Sequence, residues 1–258
     1  MNILNKLLQG IFVGVSLVLP GMSGGTAFII LGMYRKLVED ISSLKIKPYF
    51  LLGVGALAGV LLGSSLVTSI LKSYPDLLVS LLLGMLLASV SLVLKPLSLK
   101  NFRIVHAVPV FLGFLLAWKV VDEPITQVPL SPTESWPLIF IAGGLVSATM
   151  LLPGVSGSSL LIMMNLYDDM LFFVNHLVWS KLLVFSLGLL TGVLVFSRII
   201  SSLYRHLQYP VSFFLVGLLL GSTRALFPAY WGIELIAMAL LGAGIVFLIS
   251  QKSPVVFR

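Results

Sequence analysis

The chain has 258 residues, 59% of them hydrophobic and 10% charged, with a mean hydropathy of +1.12; this is too little polar surface for a soluble globule and marks an integral membrane protein. The absence of cysteine excludes disulfides, thiolate zinc sites and thiol catalysis, while His106, His176 and His206 stand too far apart in sequence to argue for a metal or other cofactor. The net charge of +7 is spread between apolar stretches instead of gathered in a basic stripe, so it reads as membrane topology and not as a nucleic-acid surface.

From the N-terminus, residues 1–23 resemble a secretory signal, with Lys6 ahead of an apolar run and small residues at Gly21 and Ser23. An equivalent segment, 136–156, sits in mid-chain where no signal peptide belongs, so the first stretch is expected to be retained. The apolar limb 3–19 runs into Pro20-Gly21-Met22-Ser23-Gly24-Gly25-Thr26, and a second limb from Gly24 to Tyr34 has about half a membrane's length. Glu39 and Asp40 follow it. Segments 48–71, 77–94 and 104–120 are each long enough to cross a core of about 30 Å as helices rising ~1.5 Å per residue. The polar, proline-rich stretch 122–135 then reads as an external linker. Beyond it the order repeats: limb 136–152, the tip Pro153-Gly154-Val155-Ser156-Gly157-Ser158-Ser159, a short limb from Gly157 to Tyr167, and spans at 182–203, 210–227 and 232–250. Backbone at the two breaks loses helical hydrogen bonds, which is tolerable at membrane depth only against protein, water or a ligand, so each motif segment is read as a re-entrant hairpin; hairpins that crossed fully would give ten spans and leave every loop on its same side.

Pro20 and Pro153 fix an offset of 133 residues, and that offset also pairs Gly10 with Gly143, Tyr34 with Tyr167, Gly55 with Gly188, Gly84 with Gly217 and Ser89 with Ser222 without a gap. Coincident Pro, Gly, Ser and Tyr carry more weight than coincident Leu in such a composition, and they indicate an internal duplication. The fold expected is therefore an all-α polytopic membrane protein, one transmembrane domain of two repeats (1–121 and 136–258), each a re-entrant helical hairpin plus three transmembrane helices. Three crossings per repeat are odd in number, which makes the repeats inverted. Lys6, Arg35, Lys36, Lys45, Lys47, Lys95, Arg205 and Lys252 then share one side, while Lys72, Asp76, Asp122, Glu123, Glu134, Asp168 and Asp169 share the other. The Lys/Arg-rich side, with both termini, is expected to be cytoplasmic.

At the start of each short limb the first N–H groups lack helical partners, and a half-helix dipole favours an anion there. Gly21, Gly24, Gly25, Gly154 and Gly157 allow close backbone approach, and Ser23, Thr26, Ser156, Ser158 and Ser159 supply hydroxyl donors for phosphate-like oxygens. The competing reading is that these small residues only let helices pack; that reading is preferred for Gly55, Gly59 and Gly63 and for Gly188 and Gly192, which accompany no break. Arg198 lies within a span and suits a phosphate partner or a snorkelling anchor, and Arg224 suits substrate capture or interface anchoring. Glu39 and Asp40 suit salt bridges to nearby Lys or Arg, or the carriage of a coupling proton by Glu39, whereas Asp168 and Asp169 read as solvated loop charges. No Ser-His-Asp arrangement, metal-binding helix or P-loop is present, so no enzyme is indicated.

The stretches LPGMSGGTAFIILGMYRKLVEDI and LLPGVSGSSLLIMMNLY, together with Phe196-Ser197-Arg198, resemble the bacterial polyprenyl-phosphate transporter family over essentially the whole chain. The resemblance implies a flippase that returns undecaprenyl phosphate, the lipid carrier of cell-wall synthesis, from the outer to the inner leaflet by alternating access at a midplane site. Its partners would be the polyprenyl phosphate substrate and membrane lipids, with no nucleic acid, and glycine-rich faces that permit a homodimer without requiring one. Two alternatives stand beside it: a transporter of a small soluble anion, and a non-transporting structural membrane subunit.

Overall fold

Proline and glycine decide where the helices break. The computed structural model describes residues 3–97, 104–121, 135–228, 230 and 232–252, and the regular structure among them is helical. Limb one is α1 (Ile3–Val18), followed across Pro20 and Gly21 by the short α2 (Gly24–Ile30) and then α3 (Tyr34–Ser42). The long helices α4 (Phe50–Ser73) and α5 (Pro75–Leu94) and the shorter α6 (Ala107–Val121) complete the first half. The second half contains α7 (Trp136–Leu151), α8 (Gly157–Met163), α9 (Tyr167–Asn175), α10 (Trp179–His206), α11 (Gln208–Ser222) and α12 (Ile233–Lys252). Of the expected linker only Ser135 is among the described residues.

Each short limb ends earlier than the sequence suggests, because the chain turns through left-handed backbone at Gly32 (φ +66°) and Asn165 (φ +55°) and starts a separate helix at Tyr34 and Tyr167. Five helical stretches are long and apolar enough to cross a membrane: α4, α5, α10, α11 with the turn that follows it, and α12. The sixth expected span, 104–120, contains α6, whose 15 residues rise only about 22 Å at ~1.5 Å per residue.

The helix boundaries recur at the 133-residue offset. Helices α1 and α7, α2 and α8, and α3 and α9 start and end in step, and α5 and α11 start in step. The backbone positions with positive φ pair the same way: Gly21 with Gly154, Gly32 with Asn165, and Leu44 with Leu177.

Glycines hold the helices together. A Cβ on Gly10 would strike the Leu52 carbonyl, and one on Gly55 the Leu7 carbonyl; the second half repeats this with Gly143 against Phe185 and Gly188 against Phe140. Each half thus packs its α1-type limb on its own first long helix, backbone against backbone. The last helices are exchanged instead. Helix α12 packs on α5, with Gly84 against Ala239 and Gly242 against Leu81, while α6 packs on α11, with Gly217 against Val110 and Gly113 against Phe214. Here Val110 matches Ala239 and Gly113 matches Gly242 at an offset of 129, so the gap-free register stops before the third helix of each half.

Helices α5 and α11 lie at the centre: 56% and 61% of their apolar windows are buried, against 28% for α4 and 22% each for α10 and α12. Their Leu82, Leu86, Leu215, Leu218 and Leu219 join Ile30, Val38 and Leu226 in the largest core cluster. The outward rows Leu57, Leu61 and Leu62 on α4 and Leu183, Leu187 and Leu190 on α10 are apolar and exposed, as a surface solvated by lipid requires.

The close glycine crossings make a direct prediction. Gly55→Ala forces its new methyl into the Leu7 carbonyl and should destabilise the protein by about 1–3 kcal/mol. Gly53 has nothing within 4 Å of a new Cβ, so Gly53→Ala should be neutral or slightly stabilising. Thermal unfolding in detergent distinguishes the two.

Candidate functional site

The two breaks touch. Ser23 caps α2, its Oγ accepting from the Thr26 N–H at 3.3 Å, and the same oxygen donates to the Leu152 carbonyl at 3.2 Å. The Gly154 N–H in turn donates to both Ser23 Oγ (3.1 Å) and Thr26 Oγ1 (3.2 Å). One threonine and one serine of the first tip therefore satisfy backbone groups of the second that no helix can satisfy. The glycines make room for this. A Cβ on Gly25 would meet the Leu151 oxygen and the Pro153 nitrogen, each at 2.9 Å. A Cβ on Gly154, at φ +78°, would come within 2.6 Å of Ser222 Oγ, and one on Gly21, at φ +69°, within 2.6 Å of the Leu226 side chain, so both the backbone and the space demand glycine.

The tips are unequal. Ser23, Gly24, Gly25 and Thr26 are buried, and the Ser23 and Thr26 hydroxyls are occupied by the junction. At the second tip Ser156 makes no cap to α8; its hydroxyl lies 2.6 Å from that of Ser158, and both residues are exposed. Gly157 is partly exposed beside them, and Ser159 is buried and bonded. Ser156 and Ser158 are thus the exposed hydroxyls of the two tips, and Ser23 and Thr26 bond across to the second break. Sequence alone treats the two sets as equivalent. The bonds that separate them span about 130 residues, and no local pattern announces them.

The charged candidates stand away from the junction. Arg198 is exposed on α10 and takes no part in the bonds that link the tips. Arg224 sits with its guanidinium 4.5 Å from the Trp118 ring and Nη1 3.4 Å from the Trp118 carbonyl, an anchorage to α6. Glu39 is paired with Arg35 Nε at 2.9 Å across one turn of α3, and Asp40 accepts from the Tyr49 hydroxyl at 2.9 Å. Asp169 is buried and has an interaction partner, unlike a solvated loop charge. Among the described residues no three His, Asp or Glu side chains gather as a metal site. One pair escaped the sequence reading altogether. Tyr34 packs edge-on to Tyr204, ring centroids 6.3 Å apart, where α3 meets the C-terminal part of α10.

Fold and junction together define a polytopic helical membrane protein in which two interrupted helices meet at their breaks. Comparison with known proteins narrows this further. The family described as undecaprenyl phosphate translocase-like matches residues 2–95 and 51–238. A Vibrio cholerae protein named polyprenyl-phosphate transporter is 30% identical over 249 residues, covering 88% of this chain and 79% of that protein. A Staphylococcus aureus protein of the same name is 27% identical over 242 residues, covering 86% of each. No solved structure matches the chain. The chain belongs to the undecaprenyl phosphate translocase-like family.

The junction predicts non-additive energetics. In Thr26→Val the Gly154 N–H still has Ser23, so that change should cost about 1 kcal/mol; in Ser23→Ala it still has Thr26, but the Leu152 carbonyl and the Thr26 N–H lose their partner, so that change should cost about 2 kcal/mol. The double variant strands a buried N–H and should cost more than the sum of the singles by about 1 kcal/mol or more. Ser156→Ala and Ser158→Ala should leave unfolding almost unchanged. Denaturation of the five variants in detergent measures this.

Proposed function

We propose that the protein is a transporter that moves polyprenyl phosphate, most simply undecaprenyl phosphate, across the bacterial plasma membrane, and that it is not an enzyme. The reading is supported by family membership and by the names of both relatives. The observation that carries it is the Ser156–Ser158 hydroxyl pair, exposed at a helix break that is fastened to the other break. A lipid phosphate needs a polar path for its head only, because the tail can stay in hydrocarbon. The head group would accept hydrogen bonds from Ser156 and Ser158, with Gly157 letting its backbone approach, and Arg198 would serve the route outside the junction. Gly21, Gly24, Gly25, Gly154, Ser23 and Thr26 then build the site without lining it.

In the same proposal the halves 1–121 and 136–258 form one transmembrane domain as inverted repeats, each opening with a re-entrant hairpin. Beyond the breaks α2 and α8 run for only seven residues each, far short of the ~20 of a full span, which supports re-entry. Contacts near the cations support the charge-based topology: Lys6 Nζ reaches the Pro48 carbonyl at 3.4 Å, next in sequence to Lys47, and the Arg35 guanidinium lies 6.0 Å from the ring of Tyr204, next to Arg205. Placing that side in the cytoplasm puts both termini inside and makes the carrier's return from outer to inner leaflet the inward direction.

Purified protein should be stabilised against heating by undecaprenyl phosphate and not by undecaprenol. Ser156→Ala/Ser158→Ala should lose that shift while unfolding at the wild-type temperature without ligand. An equal shift with undecaprenol would contradict phosphate recognition, and a shift with inorganic phosphate alone would favour a soluble anion as the cargo.

A further inference from the structure

The two halves agree in their helices and disagree in their contacts. Helix α3 lies against α10, burying Tyr34 and Tyr204, whereas the corresponding helices α9 and α4 make no comparable contact among the described residues. Helix α2 likewise packs on α5 and α7, while α8 makes no comparable contact with α11 or α1. The consequence is legible on α4. Ser197, Ser201 and Tyr204 form a stripe on α10 that is buried; their partners at the 133-residue offset are Ser64 and Thr68, which are exposed, and Leu71, which is half-buried. On α9, Leu171 and Phe172 are exposed, at 45% and 40%.

We propose that α3 and α9 are the two gates of the transport path, that this structure has the α3 gate shut on α10, and that in the opposite state α9 shuts on the Ser64–Thr68–Leu71 stripe of α4, placing Tyr167 against Leu71. The proposal deepens the transporter reading and rests on its inverted repeats. Three further features fit it. Each gate is bounded at both ends by left-handed backbone, Gly32 and Leu44 around α3, Asn165 and Leu177 around α9, so each forms a discrete segment between two sharp turns. The shut gate also covers a small cavity lined by Gly32, Tyr34, Pro96, Tyr204, Gln208 and Ser212. The Tyr34 hydroxyl is buried there without a hydrogen-bond partner. An unmet buried hydroxyl disfavours the shut arrangement, so the gate is held closed against a penalty that opening removes. When α3 withdraws, these hydroxyls and the Gln208 amide face the route by which a phosphate head would leave.

Because the chain has no cysteine, the two gates can be read separately with introduced pairs. Full-length Tyr34→Cys/Tyr204→Cys and Leu71→Cys/Tyr167→Cys would be oxidised in native membranes, with each single-cysteine variant as a control and transport measured on the cysteine-free parent. Both pairs should form intramolecular disulfides, and Tyr34→Phe, which deletes the unmet hydroxyl, should lower the Leu71/Tyr167 yield by at least about fivefold. A Leu71/Tyr167 pair that never forms while Tyr34/Tyr204 does would overturn the gate assignment even if the parent transports lipid. A yield unaffected by Tyr34→Phe would overturn the link between the gates. If both pairs form as predicted but the parent moves no polyprenyl phosphate, the gates stand and the transport reading fails.

Discussion

The Gly154 N–H, shared between the Ser23 and Thr26 hydroxyls, is the contact on which the rest of this structure depends. A chain that breaks two helices inside an apolar protein exposes N–H and C=O groups that lipid cannot satisfy. The first tip resolves this by donating its side chains to the second. Once that fastening is made, α1 and α7 are held tip to tip, α2 is pressed into the core around Ile30, and α3 is laid against α10 of the other half. Glycine is required at the junction for geometry, and at α1–α4 and α7–α10 for approach; the same residue type serves two different ends.

The exchange of the third helices follows the same logic at a larger scale. Because α6 leans on α11 and α12 on α5, neither half has a complete surface of its own, and the halves are joined through their central helices. In the proposed cycle motion falls to α3 and α9. The long helices offer backbone-to-backbone crossings that admit little sliding, and the gates offer side-chain contacts that can be made and broken.

The sequence makes the skeleton legible for physical reasons. Proline lacks an N–H and Gly21 and Gly154 need positive φ, so both breaks are visible as motifs, and the limbs 3–19 and 136–152 match α1 and α7 to within a residue. Other features leave weaker marks. The separation of α3 and α9 from the tips turns on Gly32 in one half and on Asn165 in the other, and an asparagine in an apolar run is a faint signal for left-handed backbone. The register change at α6 and α12 is hidden because leucine matches leucine at any offset. Which tip fastens and which stays open is a property of a conformation. Two copies of one motif carry no record of it, so Ser23 and Ser156 look alike in sequence and differ completely in their surroundings.

The central claim is that a lipid phosphate crosses the bilayer past the exposed hydroxyls of the second tip. It is tested most directly by reconstituting the protein in vesicles and following the transbilayer equilibration of a labelled polyprenyl phosphate. Wild-type protein should equilibrate the two leaflets, and Ser156→Ala/Ser158→Ala, folded and inserted to the same extent, should do so slower by roughly tenfold or more. Equal rates for the two proteins, or equal rates for polyprenol and polyprenyl phosphate, would contradict it.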